Sequence, residues 1–156
     1  MLRPIVAFAT CMLLSCSSET AAPTPEEEWI PGGPTLTVTL PDGAEIEAVL
    51  RMTEEERNLG MMFRHHLPVD KGMLFVFQDY KQNGFWMFNT PVPLDIVWMD
   101  GAKRIVEIYE NATLCPERDF RNCPTFGGAQ PSVYVIELAA GQVVARGLKL
   151  GDELIF

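Results

Sequence analysis

Asp95 carries the clearest chemical consequence of any polar side chain in the chain. It stands inside the apolar run Leu94 to Met99, where neighbours on both sides exclude water. An unpartnered buried carboxylate costs several kcal/mol, so Asp95 requires donors. Arg57, Arg64, Asn89 or the amide of a nearby turn are the groups placed to supply them. Such a carboxylate either specifies the fold through an ion pair or lines a pocket, where its ionisation would be perturbed. Trp86, Asn89, Asp95 and Arg64 together define a candidate ligand groove. With Arg64 or His65 assisting, Asp95 as acid or base would instead serve a hydrolase or lyase, since general acid and base partners need not be close in sequence.

Cys115 and Cys123 bracket Pro-Glu-Arg-Asp-Phe-Arg-Asn. Their spacing is not the Cys-x-x-Cys of a redox pair, and a structural disulfide closing this loop of nine residues would stabilise the fold by about 2.6 kcal/mol on the loop-entropy model. A metal would need His65 and His66 to join them, but adjacent side chains on an extended segment point to opposite faces. Trp86, Met87, Trp98 and Met99 could line a sugar or lipid site or bind Cu(I), yet they fall within apolar runs, where core packing is the simpler role. The sequence contains no Gly-x-Ser-x-Gly elbow, phosphate-binding Gly-rich loop, His-Glu-x-x-His or dinucleotide fingerprint. No metal or cofactor is therefore expected.

The elements that must hold these residues are mostly strands. Leu36, Val38 and Leu40 alternate with polar residues, Asp42-Gly43 supplies a turn, and Ile46, Ala48 and Leu50 continue the alternation, which predicts a hairpin. Thr53 and Glu56 have capping-box spacing, and Gly60 marks the end of a short helix. Residues 73–77, 85–88, 94–99, 105–109 and 133–138 are apolar runs suited to buried strands, with Pro91 and Pro93 interrupting the ladder between two of them. Asp100-Gly101 predicts a second hairpin, residues 141–147 a further helical turn or two, and Leu154 to Phe156 an edge strand. Seven or so strands with one or two short helices predict a mainly β (α+β) domain, an antiparallel sandwich or barrel.

Ahead of this domain the composition changes twice. Arg3 precedes an apolar stretch from Ile5 to Leu14, too short for a spanning helix of about 20 residues and of the form of a secretory signal. The stretch ends in Leu13-Leu14-Ser15-Cys16, which resembles the lipobox at which bacterial lipoproteins are cut and acylated on the cysteine. Residues 1–15 are thus expected to be a lipoprotein signal peptide, with Cys16 lipidated. Ser17 in place of Asp favours an outer membrane over an inner one. Residues 16–34, rich in Ser, Thr, Pro, Glu and Gly, read as a tether, which at about 3.3 Å per residue would reach roughly 60 Å when extended. Trp29 and Ile30 mark where the tether would first touch the domain, which occupies residues 35–156.

Charge narrows the partners. The chain has 12 basic and 21 acidic side chains, a formal net charge of −9. Loss of Arg3 with the signal would leave 11 basic groups against the same 21 acidic ones. So acidic a surface, without a basic run, repels phosphate backbones and anionic headgroups, so nucleic acid is not an expected partner. The membrane would be reached through lipid, at about 0.8 kcal/mol per buried methylene.

The stretches ERNLGMMFRHHLP, KGMLFVF, FWMFNTPVPLDIVWMD, YVIELAAG and GLKLGD, in this order, resemble the bacterial and archaeal family of domain of unknown function 192. The resemblance covers nearly everything after the tether. It implies a compact β-rich fold, often exported, with no defined activity. Where the family's Trp-Met motif continues with Lys or Arg before Asn-Thr, this chain has Phe88. A ligand contact made by that cation in relatives would be missing here, whereas Phe can replace a stem that only covers apolar surface. The expected function is a periplasmic-side, lipid-anchored module that binds a small molecule, glycan or envelope protein without catalysis. The alternatives are the Asp95 hydrolase or lyase and a structural or assembly scaffold.

Overall fold

The computed structural model describes Trp29 and residues 32–156; the expected signal peptide, Cys16 and the remainder of the tether lie outside the described residues. Strands β1 (Thr35–Thr39) and β2 (Glu45–Arg51) form the hairpin, and Asp42 shapes its turn by accepting the Ala44 amide at 3.0 Å. Helix α1 (Glu54–Leu59) follows with its capping box complete. The Thr53 hydroxyl accepts the Glu56 amide, and the Glu56 carboxylate accepts the Met52 and Thr53 amides at 3.0 and 2.9 Å. These amides, Thr53 first, hold the Glu56 carboxyl below its ordinary range. Gly60 ends the helix at φ 41°, and a Cβ there would press on its own turn and on the Phe75 ring, each at 3.4 Å. A glycine therefore brings the end of α1 down onto the sheet.

Strands β3 (Lys71–Gln82), β4 (Leu94–Met99), β5 (Ile105–Ala112) and β6 (Pro131–Ala139) complete one sheet, in the order β1-β2-β3-β6-β4-β5. Every neighbouring pair is antiparallel except β2 and β3. That parallel pair departs from the wholly antiparallel expectation, and its cause is local: α1 carries the chain across, so β3 starts at the same end as β2. The expected strands at 85–88 and 154–156 are reduced to single bridges, Phe85 with Phe126 and Ile155 with Thr39. The closing segment has a larger part than an added edge. It bonds Thr39 on β1, while the amide of Ile105 on β5 donates to the Asp152 carbonyl at 2.8 Å. The two outer strands are thereby clasped toward each other, giving the sheet a barrel-like closure.

Alternation along the strands sends side chains into two cores. Leu74, Val97, Ile136 and Leu138 join Val38, Ile46, Ile105 and Leu154 in the first, which α2 (Gln142–Arg146) covers through Val143. Met73, Phe75, Ile96, Trp98 and Val135 join Met61, Met87 and Trp29 in the second, under α1 and the loops. Trp29, 8% exposed, packs into this second core.

Candidate functional site

Asp95 faces the first core, because its partner in the register is Leu138. It is fully buried, and its two oxygens accept the Asn111 amide at 2.9 Å and the Val143 amide at 2.8 Å. The amide of Asn111, at a positive-φ residue within β5, and the first turn of α2 therefore satisfy this carboxylate; no arginine is bonded to it among the described residues, and it lines neither of the two cavities described below. The four residues of the expected groove are not brought together. Trp86 and Arg64 lie on the second-core side of the sheet, Asn89 lines a shallow depression with Phe63 and His65, and Asp95 is on the opposite face.

The second-core face has its own buried acid. Glu137 sits in the middle of β6, opposite Met73 on β3 and Ile96 on β4, and is 4% exposed. Its Oε2 has no hydrogen-bond partner among the described residues. Burial pushes its carboxyl up to about 8, against the pull of the Arg51 and Arg64 guanidinium groups. At pH 7 most molecules therefore carry a neutral acid here, able to donate as well as accept a hydrogen bond. Arg51, itself buried on β2, donates to the Gly32 carbonyl at 2.9 Å, and Arg64 donates to the Gly60 and Met62 carbonyls, both at 3.1 Å. Burial lowers both guanidinium groups from their ordinary value.

Glu137 lines a half-open cavity of about 120 Å³. Phe75 and Phe77 from β3, Phe85 and Trp86 from the following loop, and Leu59, Met61 and Met62 around the end of α1 form its apolar walls, with Thr90, Arg57 and Asn58 as further polar groups. The walls brace one another. Phe85 meets Phe75 edge-on at 4.9 Å and Trp98 at 5.8 Å, and the Trp98 indole donates to the Asn83 carbonyl at 2.6 Å. Gly127 lies over Trp98 so closely that a Cβ would fall 2.3 Å from the indole. Arg57 is fixed by donating through Nη1 to the Met52 and Val76 carbonyls and by lying 5.0 Å over the Phe77 ring.

The rim of this cavity is set by the disulfide between Cys115 and Cys123, which joins the two cysteines expected to pair. The Cys115 amide donates to the Met87 carbonyl, and Phe120 within the loop meets Trp86 at 5.5 Å and Phe88 at 6.2 Å. Phe88 is thus half-buried in an aromatic rim. Beside it, Phe63 and Asn89 both adopt positive φ (64° and 51°), and the Phe63 amide donates to the Asn89 carbonyl at 2.7 Å. Among the described residues no three His, Cys, Asp or Glu side chains gather as a metal site.

Sequence reasoning missed Glu137, although its signal is the one that marked Asp95: a single acid inside an apolar strand run. Alternation along β6 then separates it from Ile136 and Leu138, and only the assembled sheet shows which face holds the cavity.

Similar proteins carry the same fold. A crystal structure of a protein of unknown function from Novosphingobium aromaticivorans DSM 12444 aligns with a TM-score of 0.72 and 29% identity, covering 80% of this chain and 87% of that one. Another, of a Sinorhizobium meliloti 1021 protein to which transcription regulation has been ascribed, aligns with a TM-score of 0.67 and 30% identity, covering 76% and 89%. No curated protein matches the chain. The family model for domain of unknown function 192 (DUF192), described as an uncharacterized ACR, matches residues 37–156. That match spans the sheet except for the first two residues of β1, both α-helices and every residue around the Glu137 cavity, and the chain belongs to this family.

Proposed function

We propose that this domain is a binding module of the bacterial cell envelope, exported and held at a membrane by lipid on Cys16, and that the Glu137 cavity is its ligand site. One observation carries the site: a buried glutamate, one of whose carboxyl oxygens has no partner among the described residues, lines an aromatic cavity. A buried polar atom left unbonded costs about 1–3 kcal/mol, which a ligand supplying the missing hydrogen bond would recover. The cavity's size limits what enters. Drug-sized ligands occupy roughly 300–1,000 Å³, whereas a dry cavity of about 150 Å³ takes up benzene. At about 120 Å³, this one suits a single ring or branched chain, free or as part of a larger molecule.

Binding is favoured over catalysis by the composition of the walls. Glu137 is the one carboxyl group among the lining residues, and acid–base chemistry ordinarily needs a second titrating group within hydrogen-bond reach. The test is titration of the full chain with benzyl alcohol and toluene, followed by nuclear magnetic resonance. Saturable shifts at Phe85 and Trp86 are expected, with benzyl alcohol preferred. Leu59→Trp, which fills the mouth from an exposed position, should abolish them. Absence of saturable binding of either probe would remove the reading.

A further inference from the structure

Beside the exposed Asn58, three polar groups of the cavity differ in what they still offer a ligand. Thr90 is nearly buried, and its hydroxyl already donates to the Phe88 carbonyl at 3.2 Å. Glu137 lines the cavity, and its Oε2, out of contact with solvent, has no partner among the described residues. Arg57 is held on one side only: Nη1 carries both of its backbone bonds, and no acceptor is recorded for Nε or Nη2 among the described residues. Its guanidinium plane is therefore fixed in place against Phe77, with donors left over, on the wall of an apolar space. A pre-positioned guanidinium of this kind matches a carboxylate in geometry and charge.

Resting on the binding reading above, we infer that the group entering the cavity is a small apolar monocarboxylate, its carboxylate held between the Arg57 guanidinium and the Glu137 carboxyl and its hydrocarbon enclosed by Phe75, Phe77, Phe85 and Trp86. Arg57 and Glu137 line the same small space. Two carboxyl groups share such a contact when one carries the proton, as a buried acid with a raised ionisation point does at neutral pH. The charged groups facing Glu137 are Arg51 from β2 and Arg64 from the segment after α1, and Arg57 from α1 lines the same cavity. All three favour an anionic guest over a cationic one.

Calorimetric titration of the full chain with benzoate, benzamide, benzylammonium and toluene tests this. Benzoate should bind about tenfold more tightly than benzamide, the gain of a charge-assisted over a neutral hydrogen bond, and benzylammonium should not bind. Because the Glu137 proton bridges the pair, benzoate affinity should fall as pH rises past about 8. Glu137→Gln, which still donates from its amide, should keep benzoate binding and lose that pH dependence. Arg57→Gln should remove the benzoate preference while leaving toluene binding in place; if this variant unfolds, the wild-type ranking and pH profile decide the matter. Toluene or benzamide bound as well as benzoate would overturn the carboxylate inference and leave the binding site standing. No binding of any probe would overturn both.

Discussion

Glu137 and Asp95 are two buried carboxyl groups with opposite accounts. Asp95 is matched by two amides, one for each of its oxygens. Glu137 has desolvation working against its charge, and its ionisation point rises from the ordinary 4.5 to about 8. The folded state then holds a proton that the unfolded chain gives up near pH 4.5. Stability from this group is present in full below pH 4.5 and is lost as pH rises toward about 8. Denaturant unfolding between pH 4.5 and 8.5 should show that decline in the wild type, and Glu137→Gln should flatten it. An unchanged slope in the variant would mean that other groups set it. The sequence announced an acid in an apolar strand at both positions, but only Asp95 was drawn from it. Which of the two would find donors depended on Asn111 and Val143, the latter 48 residues away from Asp95, and no local pattern encodes that meeting.

Local chemistry foretold the elements well where short-range bonds define them. The Thr53–Glu56 box, the Asp42-Gly43 turn and the Cys115–Cys123 pair all form within a few residues, and all are present. Pairing partners were less legible. The parallel β2–β3 pair depends on where α1 delivers the chain, and the run 85–88 became a loop once Phe85 bridged Phe126 and Trp86 turned toward the cavity. The disulfide loop connects this level to the site, because it holds Phe120 against Trp86 and Phe88. Cys115→Ser with Cys123→Ser should lower stability by about 2.6 kcal/mol on the loop-entropy model. It should also speed toluene exchange by freeing the rim, measurable as line broadening. Exchange as slow as in the wild type would show that Phe120 keeps its place without the bond.

For the whole molecule, the acidic balance and the leading segment give one strong expectation. The protein extracted from membranes should begin at Cys16 and carry the added mass of lipid, and Cys16→Ala should release or mis-process it; intact mass spectrometry distinguishes a soluble product starting elsewhere. A lipid anchor would concentrate the domain at a surface that its excess of acidic over basic side chains otherwise avoids. Within the domain, the sheet separates two duties. Its first-core face carries the Asp95–α2 contact and the clasp from residues 151–155, while its second-core face carries the cavity. Glu137 grows from β6, flanked on both sides by hydrogen-bonded strands, whereas Trp86, Phe88 and Phe120 stand on loops. Variation among relatives therefore has a cheap route and a costly one. Exchanging rim residues retunes which guest is admitted, but moving the acid means rebuilding the frame, so diversification should alter the guest's outline before it alters the chemistry that holds it.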